Sequence, residues 1–587
     1  MVLWLAIAGI VYAQSAPPDP GKKKKDQEED ELVVLSPFCI SNSLGVTPGG
    51  MKSVAYSREL LELGMLPLPG EFAAEGLFSE YDLPLPAVDP GTKLLRITGA
   101  GKSAAIVGQP EVTHLVQIGF ASSLTPENFK RDPLFLVLVL DVSGSMEPKL
   151  ALLKKSAQTA LARLHAGDAI AVVTFSEDAR TEVAPVLYSP AAWAQVSAAI
   201  DAIAIRGSTS IEAGLRQGFG LAEAAPAGFA GRRRVMLITD EMPNVGATTP
   251  AAFMAQATDA SLHGVGLTTI GVGIDFNADF VRRVSSVSGG NAYWFGEAEQ
   301  MQSTLEKEFD LMVTEVAYDL KLQITPAKGF RVEKVYGVPG ETYAKTAEGG
   351  IVIDVPTLFL SHNKGAIFLT LVADRKHAGQ ATLGRADLSY LLYGDKDPVT
   401  EAFEIRTVGR GDVPPGLSRG ELLVSECEAI AAASTAFYDN NHLGQAAKLA
   451  EALRQQFDRT PDHALDPEAK LVKKVAEFLT AAEREPVLPA GSDGEMIELD
   501  ETSLIGVWQA TDEDETARLA LLPGGHAVRI AAANKSYTVT QTEWSRSGLG
   551  QKANPDAMFR VDRSGLYLAS AGPKGEKIRL KRVVGKR

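Results

Sequence analysis

The chain has 587 residues, 45% hydrophobic and 22% charged, an ordinary balance for soluble globular protein, and that length implies about three to five domains. A formal charge of -15 argues against a nucleic-acid partner, because phosphate neutralisation needs a basic face. Two cysteines, Cys39 and Cys427, are too few for a disulfide framework and read as unpaired buried thiols.

Residues 1–13 read as a secretory signal, a short apolar run closed by the small-residue pattern Val11-Tyr12-Ala13, although no Lys or Arg precedes it. The run is too short to span a bilayer, and no later segment is apolar enough to do so. Residues 14–31 read as a disordered linker, with Lys22 to Lys25 followed at once by Glu28, Glu29, Asp30 and Glu31. Residues 32–132 are expected to form an α+β module. Apolar residues recur at helical spacing over 53–64, where Gly64 ends the helix. Met65-Leu66-Pro67-Leu68-Pro69-Gly70 makes a turn, a second helix covers 72–81, and 93–120 alternates as strands that pair across domains.

From 133 to 316 strand and helix signals alternate. Helices are expected over 149–164, 191–205, 211–224, 250–263, 278–287 and 298–312. Strands are expected over 134–140, 169–175, 235–239, 267–272 and 291–295. This alternation implies a doubly wound parallel sheet with helices on both faces. From 317 to 410 the period becomes two, and an all-β sandwich is expected. Residues 418–485 are Ala- and Leu-rich at helical spacing and read as a helical hairpin region. Residues 486–502 are a Pro-, Gly- and Asp-containing linker. Residues 503–587 read as a small β-barrel-like domain that opens on Gly506-Val507-Trp508, similar to the G-x-W start of lipocalin-like barrels.

The most informative stretch is Leu134-Phe135-Leu136-Val137-Leu138-Val139-Leu140-Asp141-Val142-Ser143-Gly144-Ser145. Seven apolar residues run without interruption, the mark of a strand buried on both faces. They end at an acid, followed by two hydroxyls at alternate positions. Open α/β sheets place ligands at such strand ends. One carboxylate and two neutral oxygens on a tight loop suit a hard divalent cation that keeps part of its coordination open. Downstream, Arg206-Gly207-Ser208-Thr209-Ser210 precedes a helix, and Arg234-Val235-Met236-Leu237-Ile238-Thr239-Asp240 is a second buried strand ending in an acid. With no Cys or His in the set, Mg²⁺ is the expected ion, with Ca²⁺ and Mn²⁺ as alternatives.

The pattern D-x-S-x-S, then T, then D resembles the metal-ion-dependent adhesion site (MIDAS) of von Willebrand factor type A (VWA) domains. The resemblance implies that Asp141, Ser143, Ser145, Thr209 and Asp240 hold the metal, directly or through water. With only two carboxylates nearby, the ion would stay under-neutralised and exchange a water for a Glu or Asp side chain on a partner protein. That is recognition, with no bond made or broken. Glu147 reads as a solvated loop acid. Glu241 stands where many relatives have Gly. The region 53–69 resembles, in diverged form, the N-terminal module that precedes the type A domain in a group of bacterial exported proteins, so periplasmic, cell-surface or secreted residence is expected. Two other readings exist. One is a structural scaffold with a non-functional metal site. The other is an aspartyl phosphatase, which would need a second acid at position 143, where this chain has Ser. No H-E-x-x-H, phosphate loop or G-x-S-x-G elbow is present.

Overall fold

A computed structural model describes residues 44–48, 50–51, 74–85, 93–240, 250–272, 287–295, 298–338, 343–409, 411–438 and 442–483, isolated positions between 54 and 72, and strands between 506 and 582. The expected signal 1–13, the linkers 14–31 and 486–502, Cys39 and Glu241 lie outside the described residues. Most of the expected helix 278–287 does too.

A seven-stranded sheet forms the centre of the 133–316 region. Its strand order is Gly50–Met51, Gly290–Phe295, Val265–Val272, Arg232–Thr239, Leu134–Asp141, Ala169–Phe175, Ala179–Leu187. Leu134–Asp141 lies between two parallel neighbours, Ala169–Phe175 and Arg232–Thr239, and every residue of it is buried. Its even-numbered residues Leu134, Leu136, Leu138 and Leu140 face a core shared with Leu153, Ala157, Leu305 and Phe309, from the helices Leu150–Ala162 and Ala298–Met312. Its odd-numbered residues Phe135, Val137 and Val139 face Ile211, Leu215 and Phe219 on the helix Ile211–Glu223. Two covered faces explain the unbroken apolar run. The sheet differs from the all-parallel expectation at one edge, where Ala179–Leu187 pairs antiparallel with Ala169–Phe175. That strand is largely exposed or half-buried, so it lacks the apolar signature of the central ones.

The segments 32–132 and 317–410, expected as separate modules, supply strands to one ten-stranded sheet. Its order is Phe330–Tyr336, Ala366–Ala373, His114–Ser122, Gly45–Pro48, Ile351–Ser361, Glu315–Pro326, Thr382–Leu392, Val399–Arg406. Leu95–Ser103 pairs beside His114–Ser122, and Tyr343–Lys345 beside Ile351–Ser361. A bridge from Gly101 to Thr407 joins Leu95–Ser103 to the far end, so the sheet curls round one core that includes Val116, Ile118, Leu322, Ile353 and Leu388. The expected two-layer sandwich is therefore a single hydrogen-bonded sheet. Period-two alternation identifies strands but does not name their partners.

Three helices, Pro415–Tyr438, Leu443–Arg459 and Asp466–Glu483, share a core with Leu77 and Phe78 of the N-terminal helix Ala74–Glu80. Arg58 reaches Glu468 across 410 positions of sequence. The last eight strands, Gly506–Ala510 to Lys577–Arg582, pair in sequence order and close into a barrel. Among the described residues, no helix is long and apolar enough to cross a membrane.

Candidate metal centre

The order of strands places a crevice between Leu134–Asp141 and Arg232–Thr239. Connections leave these two neighbours toward opposite edges of the sheet, which is where doubly wound folds bind ligands. Asp141 and Asp240 stand at the carboxyl ends of these two strands. The sequence-predicted residues gather there.

Backbone bonds tie the loops after Leu134–Asp141 and Ala169–Phe175 to the segment that carries Thr209. The amide of Gly144 donates to Gly207 O at 3.0 Å, that of Arg206 to Val142 O at 2.6 Å, and that of Ser210 to Ser176 O at 2.7 Å. Thr209 lies within the loop so fixed and is fully buried. Arg206 and Ser208 anchor the loop from the side, through Thr174 Oγ1 at 2.9 Å and Glu177 Oε1 at 3.2 Å. The helix that follows Thr209 packs close against the sheet through two glycines. A Cβ at Gly214 would fall 2.7 Å from Phe175 Cδ1, and one at Gly218 would fall 2.5 Å from Val139 Cγ2.

Around the crevice the oxygens form a chain. The Ser143 amide donates to Asp141 Oδ1 at 2.9 Å, and the Thr239 hydroxyl donates to Asp141 Oδ2. Ser143 Oγ and Ser145 Oγ are 3.1 Å apart, and Ser145 Oγ donates to Asp240 Oδ1 at 2.9 Å. Lys149 Nζ donates to Asp240 Oδ2 at 2.6 Å. Asp141, Ser143, Thr209 and Asp240 are buried, Ser145 is half-buried, and Glu147 is exposed and takes no part. Burial lifts the Asp141 carboxyl to about 6, against the hydrogen bonds from Thr239 and Ser143, and Asp240 pushes it the same way. Among the described residues the hydrogen-bond donors to Asp141 are uncharged, and none of them is a cation bonded to this buried carboxylate.

The donor set is oxygen-only and comes from three loops, which fits a hard divalent cation. A different cluster, Glu223, Asp259 and His263, is exposed, with ligand atoms within 4.8 Å of one another and His263 Nδ1 3.0 Å from Glu223 Oε1. His263 is an exposed residue directly after the helix Pro250–Leu262. Two contributors at the crevice escape the motif. Thr239 was legible only as the last residue of a strand. Lys149 sits four positions past Ser145 and resembles any surface lysine.

An α/β sheet with oxygen donors at its switch point defines the class of the central domain. Residues 136–242 match the von Willebrand factor type A domain family, and this part of the chain is a VWA domain. A curated relative, the uncharacterized protein YfbK of Escherichia coli (strain K12), is 29% identical over 318 residues, covering 52% of this chain and 53% of that protein. The chain thus spans about half the length of that relative. A second, the uncharacterized protein sll0103 of Synechocystis, is 25% identical over 289 residues, covering 48% of this chain and 67% of that protein. Among solved structures, a von Willebrand factor type A protein from Catenulispora acidiphila is 17% identical, with a TM-score of 0.44, covering 67% of this chain and 90% of that one.

Proposed function

We propose that the chain is a metal-dependent protein-binding protein. Its VWA domain holds Mg²⁺ through Asp141, Ser143, Ser145, Thr209 and Asp240, and the ion takes a Glu or Asp side chain of a partner. The observation that supports this best is the convergence of three loops on one crevice that holds a buried carboxylate whose donors, among the described residues, are all uncharged. A bound divalent ion supplies the missing positive charge and a Lewis-acidic point for an outside carboxylate. The hydroxyls of Ser143 and Ser145 offer neutral oxygens, which leave the ion under-neutralised. Asp141 and Asp240 orient those hydroxyls and hold the negative charge. VWA domains are commonly protein-interaction modules, in keeping with this role. No chemical step is assigned, since Ser143 occupies the place where an aspartyl phosphatase would need its second acid.

The reading also places the protein outside the cytoplasm, on the strength of residues 1–13, in a bacterial exported type with an N-terminal module. N-terminal sequencing of the mature protein from its host tests this. A chain beginning at or just after residue 14 is expected, and an intact residue 1 would refute export by this signal.

Calorimetric titration of the full chain with Mg²⁺, wild type beside Asp141→Ala, tests the binding reading. Mg²⁺ is the ion to use, because a softer ion would also sample the His263 cluster. Binding in the wild type that the substitution removes is expected. Equal behaviour of the two, with or without heat, would favour the structural-scaffold reading.

A further inference from the structure

Both oxygens of Asp240 are committed. Oδ1 accepts from Ser145, and Oδ2 accepts from Lys149 Nζ at 2.6 Å, which also lies 3.5 Å from Val272 O. The Asp240 side chain is 2% exposed and that of Lys149 is 30% exposed, so the pair spans the boundary between crevice and solvent. Lys149 is held in place by backbone, not only by its own reach. It ends the 3-10 turn Gly144–Lys149, which begins inside the D-x-S-x-S loop and contains Pro148, and the helix Leu150–Ala162 follows directly. The loop that carries the two hydroxyls therefore also carries an ammonium and aims it at the second carboxylate.

We propose that Lys149 is a tethered counter-cation of the site. This rests on the metal reading above and adds to it. Two carboxylates and one ammonium leave the crevice with a single net negative charge where the motif alone would give two. Three consequences follow from that charge count. In the metal-free protein Lys149 offsets the burial of Asp240. Toward a divalent ion, it weakens binding by repulsion and by drawing off the charge of Asp240. Once the ion is bound, less protein charge balances it, so it attracts an outside carboxylate more strongly. Lys149 is thus a specificity-determining residue that shifts affinity from the metal toward the partner's acid. A merely structural ion pair would do only the first of these.

The test uses the full chain as wild type, Lys149→Met, Lys149→Gln and the charge-preserving Lys149→Arg, with Asp141→Ala as reference. Three quantities are read: Mg²⁺ affinity by calorimetry, the melting temperature in EDTA, and acetate binding to the Mn²⁺-loaded protein by water-proton relaxation. Both neutral variants are expected to bind Mg²⁺ at least about tenfold more tightly, to melt lower in EDTA, and to bind acetate more weakly. Lys149→Arg should stay near the wild type. Two neutral replacements of different shape guard against a folding defect in one. Mg²⁺ affinity at or below wild type in both neutral variants overturns the proposal while leaving the metal reading intact, provided that Asp141→Ala still abolishes binding. Acetate binding that does not weaken overturns the shift toward the partner's acid. Absence of Mg²⁺ binding in every variant overturns the metal reading and this proposal together.

Discussion

Removing the charge at position 141 is expected to stabilise the metal-free protein, although the residue belongs to the site. Asp141 is fully buried, and its donors among the described residues are the Thr239 hydroxyl and the amide and hydroxyl of Ser143, none of them charged. Burial raises its carboxyl from an ordinary 3.8 to about 6. At about 1.4 kcal/mol per pH unit, that displacement corresponds to about 3 kcal/mol. In the unfolded chain the group ionises near its ordinary value. Without metal, folding therefore takes up a proton over the interval between the two values. The stability this group contributes is complete below pH 4 and is lost as pH rises through about 6. Asp141→Asn keeps the side-chain shape and can keep the bonds to the Ser143 amide and to Thr239, since the Thr239 hydroxyl can turn to accept. Scanning calorimetry of the full chain in EDTA at pH 8 should show the transition of the VWA domain raised by about 5–10 °C in the variant. At pH 4 the two proteins should converge. Excess Mg²⁺ should then raise the wild type and leave the variant unchanged. A variant that melts at or below wild type at pH 8 in EDTA would refute the claim that this carboxylate lacks compensation.

Two further predictions concern what holds the site in place. At the other end of the sheet Glu315 ties Arg234, whose side chain is 1% exposed, and Arg232 to the start of the next sheet, and Tyr318 donates to the same carboxylate. Glu315→Ala should cost about 3–5 kcal/mol, because it strands a buried guanidinium, and adding Arg234→Met should recover much of that loss. Urea unfolding of the single and double variants measures the coupling, and a double variant no more stable than Glu315→Ala would refute it. Gly218→Ala should cost about 1–3 kcal/mol and weaken Mg²⁺ binding, since its Cβ would meet Val139 Cγ2 at 2.5 Å and push on the helix behind Thr209. Gly220→Ala, on the same helix with nothing within 4 Å, should instead stabilise by about 0.5–1 kcal/mol. Thermal melts with and without Mg²⁺ separate the two, and equal effects would refute the packing argument.

The central domain was legible in the sequence because its signals are local. A strand covered on both faces must be apolar at every position, and Leu134 to Leu140 are. The place where such a run stops is the place where the chain leaves the core, so Asp141 and Asp240 were readable as crevice residues before any partner was known. Thr209 was readable through its position just ahead of Ile211–Glu223. The ten-stranded sheet was not legible in the same way. Gly45–Pro48 pairs with Ile351–Ser361, some 300 positions later, and neither segment carries a mark of the other. Lys149 is a third case. Its partner Asp240 is 91 positions away, and a lysine at the end of a turn is most often solvated. What distinguishes it is the partner's burial, a property of the fold alone. The motif residues are therefore those whose chemistry coincides with an end of secondary structure. Lys149 also ends an element, the turn Gly144–Lys149, but nothing local to it names the buried acid with which it pairs. A motif match can thus identify where a metal would sit, but the strength with which this site would hold one depends on a side chain that the motif does not contain.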